Sequence, residues 1–71
     1  MEQGADINKE DNRYGSTPLN RVCYIGNENI VKCLVDLGAY INKEENNGWT
    51  PFRTVCFYGH ENIVKYLVER G

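Results

Sequence analysis

The chain has 71 residues, a formal net charge of −2 and a pI near 5.2. That is one small domain or a piece of a larger one, and mild acidity with dispersed Lys and Arg argues against nucleic acid as the main partner. No apolar run approaches the roughly 18 residues of a membrane span, and Met1-Glu2-Gln3-Gly4 lacks the basic and apolar regions of a secretion signal.

In chain order, Gly4-Ala5-Asp6-Ile7-Asn8 comes first and returns as Gly38-Ala39-Tyr40-Ile41-Asn42, 34 residues on. Every later correspondence has an offset of 33, so residues 9–14 carry one extra residue, which a loop absorbs at little cost. Thr17-Pro18 then opens a helix. The Thr hydroxyl can accept from an orphan backbone N–H, and Pro at the first helical position has no N–H to lose. Leu19, Val22 and Cys23 follow at i, i+3, i+4 spacing, the mark of an apolar helical face. Gly26 ends this helix as a residue able to take positive φ.

A second helix starts at once, with Asn27 at its cap position and Glu28 in its first turn, where negative charge complements the helix dipole. Glu28 and Lys32 form an i, i+4 pair in the favourable order. The expected buried face is Ile30, Val31, Leu34 and Val35, and Gly38 ends the helix. A connection this short makes the two helices antiparallel. Residues 39–49 contain Asn42, Asn46, Asn47 and Gly48, all turn formers, and read as an extended, hairpin-like turn.

The whole pattern then repeats. Residues 17–38 and 50–71 agree at 13 of 22 positions without a gap. Thr50-Pro51 opens a helix carrying Phe52, Val55 and Cys56 on its apolar face and ending at Gly59. His60 caps a last helix with Glu61 and Lys65 paired, Ile63, Val64, Leu67 and Val68 turned inward, and Gly71 at its end. A period of this length signals stacked units, none of which buries its apolar face alone.

Catalytic chemistry finds little support in these residues. His60, the single histidine, sits at a helix junction and reads as a structural cap. Glu44-Glu45 could pair as acid and base only within a cleft that shifts one pKa, and helix pairs of this size are expected to offer none. Each glycine ends a helix or turns a loop, so no phosphate-binding loop is present. Cys23, Cys33 and Cys56 have no Cys-x-x-Cys spacing, which fits a reducing compartment. Cys23 and Cys56 occupy equivalent places and are expected to be small buried apolar side chains. These readings point to a non-enzyme without metal or cofactor, located inside the cell, in the cytoplasm.

Thr-Pro-Leu, then Gly-Asn or Gly-His, then Ile-Val-Lys-x-Leu-Val-x-x-Gly-Ala-x-Ile-Asn at a period of 33 resembles the ankyrin repeat over nearly the whole chain. The resemblance implies an all-α solenoid of antiparallel helix pairs linked by β-turn fingers. It divides the chain into residues 1–16, a finger ending a preceding repeat; residues 17–49, one repeat; and residues 50–71, a repeat cut before its own finger. The chain then reads as an excerpt of a longer array, with uncapped ends able to self-associate. There are departures from the family pattern. Asn20 and Arg53 replace the histidine usual after Thr-Pro-Leu, so the bonding there must differ, since Arg has no acceptor. Arg21 and Thr54 occupy a position that is usually apolar, and Val22-Cys23 and Val55-Cys56 replace two small alanines.

Fingers and first helices of such arrays form a concave face that grips partners. The positions facing it map onto Arg13, Tyr14, Ser16, Tyr24 and Ile25, and onto Asn46, Asn47, Trp49, Phe57 and Tyr58. Tyr, Trp and Arg are enriched in binding hot spots, and five of the eight aromatic residues fall in this set. The resemblance therefore implies a protein–protein interaction module with a protein partner. The alternative is a spacer whose faces meet only neighbouring repeats of the parent chain. A third reading, hydroxylation of the finger residue Asn42 by an oxygenase, is weakened by Tyr40 in place of the usual acidic residue.

Overall fold

The computed structural model describes residues 6–70, and consists there of four helices and no strand. Gly71 as a helix terminator and residues 4–5 of the first Gly-Ala motif lie outside the described residues. The helices are α1 (Pro18–Ile25), α2 (Glu28–Asp36), α3 (Pro51–Phe57) and α4 (Glu61–Arg70). Each consecutive pair packs as a hairpin, and the pairs stack so that α1 lies against α3 and α2 against α4.

Local chemistry fixes the helix starts. The Thr17 hydroxyl accepts from the Asn20 amide at 3.2 Å, and the Asn20 side chain accepts from the Thr17 amide at 2.8 Å, a closed capping box. Asn20 is 2% exposed and also donates through Nδ2 to the Lys43 carbonyl at 3.2 Å, tying α1 to the following finger. At the equivalent place the Thr50 hydroxyl accepts from the Arg53 amide at 3.2 Å, and the Arg53 side chain leaves for the Trp49 ring, 4.7 Å away. The two replacements of the family histidine thus act differently, because only Asn has an acceptor to return. The Asn27 side chain caps α2 by accepting from Ile30 N.

Gly26 closes α1 at φ +88°, where a side chain is strained. A Cβ there would also fall 2.5 Å from the His60 ring, whose Nε2 lies 3.4 Å from the Tyr24 carbonyl oxygen. This glycine–histidine contact joins the two helix pairs at their bends. Asn8 makes a second tie: its amide accepts from Tyr40 N at 2.8 Å and donates to the Gly38 carbonyl at 3.3 Å.

The fingers are two tight turns laid side by side. Asp11 N donates to Ser16 O in the first and Glu45 N to Trp49 O in the second, both at 2.8 Å. The first turn is one residue longer, so the inserted residue lies at its tip. There the Asp11 carboxylate gathers the amides of Tyr14 (2.8 Å), Arg13 (3.2 Å) and Ser16 (3.3 Å). The Tyr14 amide above all, with those of Ser16 and Arg13, holds this carboxyl below its ordinary range against some loss of solvation. Asn46 N donates to the Tyr14 carbonyl at 2.8 Å, fixing the register between the fingers.

The core lies between the two helix pairs. Leu19, Cys23 and Val31 from the first meet Val55, Ile63 and Leu67 from the second, all buried, with Ala39 beside them. Three expectations need correction. Cys56 is exposed, although its counterpart Cys23 is buried. Ile30 and Val68 are 45% and 62% exposed rather than core. The cause is common: each pair has two apolar flanks, and only the flanks facing each other are covered. Burial of Cys23 pushes its thiol up to about 12, which makes it inert toward metal or redox chemistry at neutral pH.

Candidate functional site

A groove of about 450 Å³ lies between the two fingers and the helices α1 and α3. Tyr14, Ser16, Tyr24, Asn47, Trp49 and Tyr58 line it, so six of the ten expected residues meet in one place. Asn20, Arg21, Glu45 and Thr54 complete the lining and were not anticipated. For Asn20, Arg21 and Thr54 a signal existed: all three stand at departures from the family pattern. The expectation that Glu44-Glu45 has no cleft is corrected for one of the two: Glu45 lines the groove and Glu44 does not.

Four aromatic rings form a chain across the face. Trp49 meets Phe57 edge-on at 5.2 Å between centroids, Phe57 meets Tyr58 at 4.9 Å, and Tyr58 meets Tyr24 at 5.0 Å. Such T-shaped contacts favour one arrangement of the rings by about 0.5–1.5 kcal/mol each. The chain spans both helix pairs, because Tyr24 lies in the last turn of α1 while Phe57 ends α3 and Tyr58 is its C-cap. Yet Tyr24, Phe57 and Tyr58 remain exposed, and Trp49 is half-buried. Lost solvation, then the Tyr24 phenol, raise the pKa of Tyr58.

The other expected residues are distributed less uniformly. Arg13 is exposed at the first finger tip, with its guanidinium 5.6 Å from the centre of the Tyr14 ring. Asn46 and Asn47 are exposed on the second finger, where Asn47 Oδ1 accepts from Trp49 N at 2.9 Å. Ile25 is exposed, and neither it, Arg13, Asn46 nor Phe57 lines the groove. Ser16 differs from expectation: it is 3% exposed, and its hydroxyl donates to Glu45 Oε2. A short side chain at the finger base is roofed by the neighbouring finger, so its hydroxyl bonds inward.

Groove charge is simple. Arg21 Nη1 lies 3.3 Å from Asp11 Oδ2, which offsets it, whereas Glu45 forms no ion pair among the described residues. Lys43 turns away to Glu10 at 2.8 Å. Among the described residues no cluster of three His, Cys, Asp or Glu could hold a metal ion, and no helix is long and apolar enough to cross a membrane.

The family described as Ankyrin repeats (3 copies) matches residues 1–71. The ankyrin repeat and SAM domain-containing protein 6 of Rattus norvegicus is 42% identical over 49 residues, which is 69% of this chain and 6% of that protein. The chain thus spans a small fraction of the relative it matches. Ankyrin repeats are generally protein–protein interaction modules, and the family is typically non-enzymatic. The capped Thr-Pro helices, the paired fingers, the helix-pair stack and the match along the full length lead to one conclusion: this chain belongs to the ankyrin-repeat family.

Proposed function

We propose that the chain binds a protein partner through its concave face, with Trp49, Tyr58, Tyr24 and Tyr14 supplying most of the affinity. With boundaries at 16/17 and 49/50, residues 1–16 contribute the first finger to this face, residues 17–49 contribute α1 and the second finger, and residues 50–71 contribute α3. The observation that carries the reading is the aromatic chain from Trp49 to Tyr24, which crosses both helix pairs while three of its four rings stay exposed. Exposed aromatic rings held in place by one another lose little rotamer entropy on binding, and such residues dominate interface energetics. The apolar flank formed by Phe52, Cys56 and Val68 supports contact with a further repeat or a second copy, a use distinct from the groove.

A paired capture experiment tests the reading. The parent chain and a Trp49→Ser/Tyr58→Ser variant with the same circular dichroism are each exposed to an extract of the source cells. A protein retained by the parent and lost with the variant is the expected result. Equal capture by both would remove the groove from the binding surface and leave a spacer repeat.

A further inference from the structure

We propose that the groove receives a basic side chain, lysine or arginine, of the partner protein, with Glu45 as its counter-charge and the Tyr24 and Tyr58 rings beside it. The proposal rests on the concave face being the binding face and adds the chemistry of what enters it.

Charge complementarity carries the argument. Two formally charged side chains line the groove, Arg21 and Glu45. Arg21 is offset by Asp11 at 3.3 Å. Among the described residues Glu45 has no cationic partner, its one side-chain bond is from the neutral Ser16 hydroxyl to Oε2, and its other oxygen has no donor. The neighbouring cations are committed elsewhere: Lys43 to Glu10, Arg53 to the Trp49 ring and Arg13 to the Tyr14 ring. One negative charge is therefore left in a half-enclosed cleft. An acidic occupant would be repelled there, and an apolar one would strip water from the carboxylate without replacing it.

The rings point the same way. A cation is attracted to an aromatic face by the ring quadrupole. Tyr14 and Trp49 each already have a guanidinium of this chain over them. Tyr24 and Tyr58 have none among the described residues, and both line the same groove as Glu45. A lysine or arginine stem would lie along these rings while its charged end reached the free carboxylate oxygen.

Selection from a random displayed-peptide library by the 71-residue chain tests the proposal. Peptides retained by the parent should be enriched in Lys or Arg at one position by about 10-fold or more, in line with a charge-assisted bond shielded from water. Glu45→Gln keeps an acceptor for Ser16 and should remove that preference. Glu45→Lys should exchange it for Asp or Glu, which a merely structural Glu45 would not do. Circular dichroism checks each variant, and should Glu45→Gln fail to fold, Tyr58→Leu serves instead, lowering the basic preference by about 2- to 5-fold through loss of one ring. Two outcomes separate the layers of the argument. Peptides enriched without a basic preference, or with one that Glu45→Gln retains, overturn the basic-side-chain proposal, and the concave face still stands if Trp49→Ser/Tyr58→Ser abolishes their capture. No enrichment by the parent, or enrichment that the double Ser variant keeps, overturns the face and the proposal together.

Discussion

The two helix pairs agree at 13 of 22 positions and have opposite patterns of burial. Leu19, Cys23 and Val31 are buried in the first, while Phe52 and Cys56 at the equivalent places of the second are exposed and Val64 is only half-buried. Conversely Ile63 and Leu67 are buried in the second, while Ile30 is exposed and Leu34 half-buried in the first. A repeat therefore has no fixed inside and outside. Its apolar residues form two flanks, and burial is decided by which flank faces a neighbour. A hot spot or a core position cannot be copied from one unit to the next by the offset alone.

The largest expected break in this comparison is Leu19→Ala against Phe52→Ala. Leu19 is fully buried, and truncation should cost about 2–5 kcal/mol, which approaches the whole stability of a domain this small. Phe52 is 41% exposed and should cost less than Leu19→Ala. Urea unfolding followed by circular dichroism measures both. Equal costs would mean that the second flank is covered in solution, and a concentration-dependent midpoint would identify a second copy as the cover.

Next come the caps. Asn20→Ala leaves the Thr17 amide and the Lys43 carbonyl without their partner in a buried place, and should cost about 1–3 kcal/mol. Arg53→Ala, at the matching position, removes an exposed cation–ring contact worth about 0.5–1 kcal/mol. If the two variants were equally stable, the Asn20 link between α1 and the second finger would contribute nothing.

Gly26→Ala and Gly59→Ala separate backbone strain from packing. Both glycines have positive φ, at +88° and +73°, so each change should cost about 1–2 kcal/mol. Only at Gly26 does the new methyl meet a side chain, the His60 ring, and there the cost should be larger. Adding His60→Ala should bring the Gly26→Ala penalty back toward that of Gly59→Ala. A penalty unchanged by His60→Ala would show that the ring simply turns aside.

The effect that is smallest at neutral pH is that of thiol ionisation, which shows in reactivity and in alkaline stability. Cys33 and Cys56 should react rapidly with an aromatic disulfide in native buffer, and Cys23 only on unfolding. The Cys23 thiol ionises near 9.0 when unfolded and near 12 when folded. Its proton is retained longer by the native state, so the stability it contributes is full below pH 9 and is lost as pH rises toward 12. A Cys23→Ala variant should therefore show a shallower decline over that window than the parent.

Much of the architecture was legible because it is written in short-range chemistry. Thr-Pro starts, glycine stops and the 33-residue period depend on neighbours one turn away, and these gave four helices in antiparallel pairs. The extra residue before Tyr14 was likewise visible, though not that Asp11 would gather three amides to hold it. Six of ten anticipated residues line the groove, because finger bases and helix ends approach one another in any such stack. Glu45 was missed for the converse reason: alone on a polar turn a carboxylate reads as solvated, and it gains a cleft only when the second finger lies beside the first.

The sequence by itself determined the unit, its family and its period, since each is a pattern of neighbouring residues. Tertiary structure alone decided which apolar flank is core, that Ser16 bonds inward, that Asn20 and Arg53 part ways, and that Glu45 lines an aromatic groove without a cation among the described residues. Those properties belong to pairs of units rather than to one, and stacking brings together residues about 30 apart that share no local signal.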